Sequence, residues 1–114
     1  MSERTDADSL SDIREAIGRV AAYTAGMTYE TFVADTKIQD AVIRNLEIIG
    51  EATKNLSEEL RSKHPGIPWK GMAGLRDRLI HHYFGVNLDI VWHVAVAELP
   101  EVASQLGRLL GDEP

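Results

Sequence analysis

The chain has 114 residues, 44% of them hydrophobic and 26% charged, and its formal net charge is -6. This length is typical of one globular domain, and the absence of cysteine excludes disulfide scaffolds and cysteine-ligated zinc sites. No apolar run approaches the roughly 18 residues of a membrane-spanning helix, and the polar N-terminus lacks a signal-peptide pattern. We therefore expect one cytoplasmic domain over 1–114, with a flexible tail at 1–8.

The apolar residues recur at helical rather than alternating spacing, so every element is predicted to be a helix. Asp12 and Glu15 have the spacing of a capping box at the start of helix 1, which is expected to run to about Thr24 and to end at Gly26. A short helical turn around Phe32 follows. The apolar residues of helix 1 form one stripe, so this helix needs a packing partner.

Helix 3 is the longest predicted element. Asp35 or Thr36 is expected to cap it, and one apolar stripe extends along it to Leu56. A shorter helix is predicted over 57–63, where Pro65 prevents its continuation. Two long amphipathic helices in the first half of the chain indicate a helix-on-helix core.

The second half of the chain is predicted to contain two further helices. Helix 4 begins after Pro68 and runs to about Tyr83, where Gly85 closes it. Asn87 caps helix 5, in which Pro100 is expected to cause a kink or a restart. Short connections favour antiparallel neighbours. The predicted fold is therefore all-α, an up-and-down bundle of four to five helices with a kinked C-terminal helix.

Positive charge is concentrated in one stretch of this acidic chain. Residues 61–82 contain five Lys or Arg side chains, one acidic side chain and three histidines, whereas 1–60 and 83–114 are net acidic. Such clustering is typical of a solvated helix face, but it also fits a local site for an anionic ligand. Composition alone leaves both interpretations open.

The candidate chemistry lies on predicted helix 4, in the sequence GLRDRLIHHYFG. A helical wheel places Arg76 at the border of the core face and Asp77, Arg78 and His81 on the opposite side. His82 is expected to turn toward the packed side. An ideal helix separates Arg76 and His81 by about 140° around its axis, so one helix does not easily aim both at one atom. The core face of this helix is predicted to contain Met72, Leu75, Leu79 and Tyr83.

Three interpretations of these side chains compete. In the purely structural one, Tyr83 is a core aromatic, Arg76 lies at the edge of the core, and the two histidines complement the helix C-terminus. A metal site is disfavoured because His81 and His82 are adjacent and no HxxxH spacing occurs. In the third interpretation, arginine binds a phosphate and histidine transfers protons near neutral pH.

The spacing Arg76-x4-His81-x-Tyr83 resembles the R-x4-H-x-Y motif of the HepT-like toxins in the HEPN superfamily. One departure is Asp77, because the residue after the arginine is often Asn in these proteins. An acidic neighbour either orients His81 or weakens phosphate binding. The resemblance extends to the sequences FVADTKIQDAVIRNLEIIGEATKNLS, HPGIPWKGMAGLRDRLIHHYFGVNLDIVW and ELP.

The resemblance implies a small all-α homodimer that acts as a metal-independent endoribonuclease toxin without a cofactor. Its implied partner is a minimal nucleotidyltransferase antitoxin, which silences the toxin by adding AMP to Tyr83. Arg76 would hold the scissile phosphate and His81 would exchange protons, with Asp77, Arg78 and Tyr83 in supporting roles.

The predicted divergence of Arg76 and His81 also favours a site shared across a two-fold axis, to which each protomer supplies an arginine and a histidine. The alternative from a different class is a catalytically inactive helical dimer that binds a nucleotidyltransferase or a nucleotide.

Overall fold

The computed structural model describes residues 5–81 and 85–111, with the backbone only for His81. These residues form an all-α fold, as predicted, and the only strands among them are two of two residues each that pair as an antiparallel ladder. None of the described helices is both long and apolar enough to cross a membrane. In chain order the elements are α1 (Asp6–Thr24), α2 (Tyr29–Val33), α3 (Thr36–Lys54), α4 (Glu58–Lys63), α5 (Trp69–Ala73), α6 (Leu75–Leu79), β1 (Ile80–His81), β2 (Gly85–Val86), α7 (Leu88–His93), a π-helical segment (Val94–Glu98) and α8 (Leu99–Leu109).

Helix α1 begins earlier than predicted. Thr5 is its N-cap, and the Thr5 and Asp8 side chains each accept a hydrogen bond from the other residue's backbone N–H. This capping box precedes the one predicted at Asp12, and buried Ser9 and Leu10 extend the packed face toward it. The predicted start is therefore wrong, and residues 6–8 of the expected tail lie in α1.

The core is built mainly between α1 and α3, the two long helices for which the sequence predicted a packing partner. Asp35 caps α3 as expected, because its side chain accepts a hydrogen bond from the N–H of Ile38. Helix α3 also packs against α5 and α6, so the second half of the chain is anchored on the same helix as the first. The residues at the centre of the core are fully buried and include Ile13, Val20, Val42, Leu46 and Ile49.

Predicted helix 4 is shorter than expected and is divided in two. Gly74 separates α5 from α6, and Ile80 is extended at φ -102° and ψ 122°, which ends α6 at Leu79. Strand β1 then pairs with β2, where Gly85 has a φ of 75° that favours glycine. The backbone N–H of Asn87 donates to the carbonyl of Leu79 at 2.8 Å and holds this hairpin closed. The predicted helix end at Tyr83 is therefore wrong.

The C-terminal helix accommodates Pro100 without a break. Asn87 caps α7 as predicted, accepting a hydrogen bond from the N–H of Ile90. A π-helical turn follows, and the N–H of Leu99 donates to the carbonyl of Val94, five residues back. Proline lacks the N–H that a regular α-helix would use at the next position, and the wider turn absorbs this loss. The irregularity expected at Pro100 is thus a π segment within a helix that continues from 88 to 109.

Candidate functional site

The three charged residues of the motif helix α6 project into solvent. Arg76, Asp77 and Arg78 are exposed, whereas Leu75 and Leu79, one helical turn apart, are 2% and 1% exposed. The two leucines fix the helix against α3 and α7 and so determine which way the charged side chains face. The predicted core face is confirmed at Met72, Leu75 and Leu79.

The helical relationship predicted for His81 does not occur. Because α6 ends at Leu79, His81 lies on β1, and the spacing that would place it beside Asp77 and Arg78 on one helix face is lost. The 140° separation from Arg76 assumed the same continuous helix, so it no longer argues for a site shared between two protomers. The side chain of His81, and residues 82–84 with His82 and Tyr83, lie outside the described residues.

Arg76 borders an open cleft of about 400 Å³ between α1, α3 and α6. Among the residues that the structure describes, none forms an ion pair or a hydrogen bond with its guanidinium. An exposed arginine without a protein partner can offer its planar set of N–H donors to a ligand carboxylate or phosphate. The described residues that line this cleft are Asp12, Arg44, Glu47, Ile48, Glu51, Ala52, Asn55 and Arg76.

The charge of the cleft is nearly balanced. Two arginines and three carboxylates line it, and one carboxylate, Glu51, has Lys54 as an ion-pair partner at 3.5 Å. The cleft therefore creates little long-range attraction for a polyanion, and an anion must be bound by short, directional contacts. In the described part of the chain, no cluster of three or more His, Asp or Glu side chains is placed to hold a metal ion.

Arg78 has a different environment, although it is two residues from Arg76. Its Nη1 and Nη2 atoms each donate to one carboxylate oxygen of Glu98 at 2.9 Å, and this contact links α6 to the π segment. These hydrogen bonds raise the pKa of Arg78 and lower the pKa of Glu98. His93 Nε2 lies 3.5 Å from the same carboxylate. Arg78 thus fastens the motif helix, whereas Arg76 is free to bind a ligand.

Sequence reasoning did not identify Arg44 or Glu47 as candidate site residues. Both belong to α3, and they lie beside Arg76 only because α3 packs against α6. A helical wheel of one element cannot reveal this neighbour. The available signal was their position in the segment 32–57 that resembles the HepT-like toxins. Asp77, in contrast, is exposed and forms no ion pair with a described residue.

Comparisons with known proteins agree with the resemblance found in the sequence. The family model described as "Ribonuclease HepT-like" matches residues 13–109. The chain is 47% identical over 103 residues to "Putative RNase MJ0127" of Methanocaldococcus jannaschii, an alignment that covers 90% of this chain and 85% of that protein. It is 43% identical over 107 residues to "Probable ribonuclease HepT" of Thermococcus cleftensis, covering 94% and 97%. No solved structure matches. The chain belongs to the HepT-like ribonuclease family.

Proposed function

We propose that this protein is a metal-independent endoribonuclease and the toxin of a two-component toxin–antitoxin pair. The observation that carries the proposal is the exposed, unpartnered guanidinium of Arg76 at the rim of a cleft, five residues before His81. In phosphodiester cleavage, arginine can stabilise the developing negative charge and histidine can transfer protons. The family match over 13–109 supports RNA as the substrate.

The proposed reaction is transphosphorylation by the 2′-hydroxyl of RNA. The 2′-oxygen forms a bond to phosphorus while the bond from phosphorus to the 5′-oxygen breaks, leaving a 2′,3′-cyclic phosphate and a 5′-hydroxyl. A general base takes the proton of the 2′-hydroxyl, and a general acid gives a proton to the leaving 5′-oxygen. Arg76 stabilises the negative charge of the phosphorane, and His81 exchanges protons.

We also propose that the active form is a homodimer. The reaction needs a base and an acid at the same phosphate, whereas each chain has one motif His81. A two-fold axis beside β1 supplies a second histidine and a second arginine. Adding an excess of inactive His81→Ala to the wild-type protein tests this sharing, because a mixed dimer holds only one His81 and should lose activity. Activity in a strictly monomeric species would contradict it.

The test of the catalytic assignment is RNA cleavage in EDTA by matched pairs of variants. Arg76→Ala and His81→Ala should each lower the rate by about 10²- to 10⁴-fold. Arg108→Ala and His64→Ala remove the same side-chain types outside the Arg76 cleft and should cleave at the wild-type rate. Unchanged helical circular dichroism and thermal midpoint show that the inactive variants are folded.

His82 provides a further internal control for this assignment. His82→Ala should retain more activity than His81→Ala, since only His81 occupies the motif position. If His82→Ala is the inactive variant, the roles of the two histidines are reversed. If the wild-type protein leaves RNA intact and still binds a nucleotidyltransferase, the catalytically inactive binding module is the correct function.

We further propose that a minimal nucleotidyltransferase silences the toxin by AMPylating Tyr83. The phenolic oxygen attacks the α-phosphorus of ATP, the bond to the β-phosphate breaks, pyrophosphate leaves and the phenolic proton is released. The product carries a phosphodiester charge and a bulky nucleoside, which would compete with RNA near Arg76. Support comes from the resemblance of 76–83 to the toxin motif.

Mass spectrometry after co-expression with the cognate nucleotidyltransferase tests this modification. Additions of AMP mass should be present on the wild-type protein and absent from Tyr83→Phe, which keeps the ring and removes the acceptor oxygen. Persistence of the adduct in Tyr83→Phe, or full silencing of unmodified protein, would remove Tyr83 from the regulation.

A further inference from the structure

We infer that Arg44, on α3, contacts a second RNA phosphate beside the one that Arg76 holds. The inference rests on the proposed ribonuclease function and adds to it a residue for substrate binding. Arg44 and Arg76 line the same cleft, although 32 positions separate them in the sequence. Two arginines from two different helices therefore line one ligand-sized space.

Arg44 is held on a rigid part of the fold. Helix α3 spans Thr36–Lys54, and the two residues that follow Arg44, Asn45 and Leu46, are 5% and 0% exposed. The backbone under Arg44 is thus fixed by the core, while its own side chain is exposed. A binding side chain on a packed helix is positioned more accurately than one on a loop.

The guanidinium of Arg44 has no partner that would stabilise the fold among the described residues. Within 5–81 and 85–111, other arginines have carboxylate partners, such as Arg19 with Glu15 and Arg78 with Glu98, but Arg44 has neither an ion pair nor a side-chain hydrogen bond. A structural ion pair or hydrogen bond therefore does not explain why an arginine stands at this position. An arginine free of protein partners and facing a cleft is suited to bidentate contact with a phosphate.

The cleft has the size of a site for one nucleotide, although its charge is only nearly balanced. Its volume of about 400 Å³ is within the usual range for small-ligand sites, so a nucleotide-sized group fits. Glu47 also lines it, is half-buried and has no ion-pair partner among the described residues. This carboxylate opposes phosphate binding through like-charge repulsion. Removing Arg44 and removing the charge of Glu47 should thus change RNA affinity in opposite directions.

RNA affinity and its salt dependence test the inference directly. Fluorescence anisotropy of a labelled single-stranded RNA is recorded over a salt series with His81→Ala protein, which should cleave the probe at least about 10²-fold more slowly. Arg44→Gln in this background should weaken binding by about tenfold and reduce the slope of log affinity against log salt by about 0.7, the value for one phosphate contact on a single strand. Glu47→Gln should tighten binding.

Two control variants separate a phosphate contact from other effects. Arg44→Lys keeps the charge without the planar fork, so it should retain the salt slope and lose part of the affinity. Arg108→Gln removes an exposed arginine outside the cleft and should leave the affinity unchanged. Thermal midpoints equal to that of the parent show that the variants are folded, as expected for exposed positions.

The outcomes distinguish this inference from the proposed function. Equal affinity and equal salt slope for Arg44→Gln and its parent would overturn the role of Arg44, even if the wild-type protein cleaves RNA. If the wild-type protein fails to cleave RNA but Arg44→Gln still weakens RNA binding as described, the proposed catalysis fails and the phosphate contact stands. In an active enzyme, Arg44→Gln should raise KM more than it lowers kcat.

Discussion

Replacing Arg78 and Glu98 singly and together tests whether their ion pair fastens the motif helix to the C-terminal helix. The Nη1 and Nη2 atoms of Arg78 contact the two Glu98 carboxylate oxygens at 2.9 Å, and the contact joins α6 to the π segment. The two side chains are 41% and 36% exposed, so solvent screens the interaction. Exposed ion pairs contribute about 0.2–1 kcal/mol, and the bidentate geometry favours the upper end of that range. We therefore expect a coupling free energy of about 1 kcal/mol near neutral pH.

The coupling should depend on pH with a definite sign. Hydrogen bonds from Arg78 lower the pKa of Glu98 in the folded protein below its ordinary value of 4.5. A carboxylate with a lowered folded pKa stabilises the protein above its unfolded pKa, and this stabilisation is lost as the pH falls through the folded pKa. Arg78 remains charged throughout, so protonation of Glu98 alone should abolish the coupling.

The assay is urea unfolding followed by circular dichroism for the wild type, Arg78→Gln, Glu98→Gln and the double variant. The cycle is measured near pH 7 and again below the lowered pKa that Glu98 has in the folded protein. A second cycle in a His93→Gln background removes the imidazole that lies near Glu98. A coupling near zero at neutral pH, or the same coupling at both pH values, would refute the reasoning.

Three further predictions concern the stability of the fold. Leu79→Ala should lower the free energy of unfolding by about 2–5 kcal/mol, measured by urea titration, because Leu79 is 1% exposed in the core; a change within error would contradict this packing. Gly18→Ala, in open space on α1, should stabilise the protein by about 0.5–1 kcal/mol. Gly26→Ala, at a φ of 75°, should destabilise it by about 1 kcal/mol. Thermal midpoints of the two variants that shift in the same direction would contradict this pair of predictions. Asp6→Asn should destabilise near neutral pH, because hydrogen bonds from Ser57 lower the pKa of Asp6, and this difference should shrink as the pH falls through that pKa.

The elements that the sequence predicted well are those determined by local pattern. Helix α3 and its cap at Asp35, and the cap of α7 at Asn87, follow from periodicity and side-chain capping chemistry within a few residues. The end of α6 was predicted wrongly because the apolar spacing continues beyond Leu79. The hydrogen bond from Asn87 N–H to the Leu79 carbonyl spans eight residues, so helical periodicity does not reveal it.

In the candidate site, too, the sequence identified residues by local pattern but not their partners from distant parts of the chain. The sequence assigned the phosphate to Arg76 and a supporting role to Arg78, but it did not reveal the ion pair of Arg78, because Glu98 reaches it from 20 residues away. Similarly, Arg44 joins Arg76 only through the packing of α3 against α6. Residue types and spacing predicted the chemistry, whereas tertiary contacts determine which arginine is free to take part in it.

The most direct test of the proposed ribonuclease is the chemistry of its products in EDTA. Purified wild-type protein is incubated with a defined RNA, and the new ends are identified by mass spectrometry. We expect 2′,3′-cyclic phosphate and 5′-hydroxyl ends, and no cut where the nucleotide on the 5′ side of the scissile phosphate is replaced by its 2′-deoxy form. Intact RNA, or cleavage at the deoxy position, would contradict transphosphorylation by this protein.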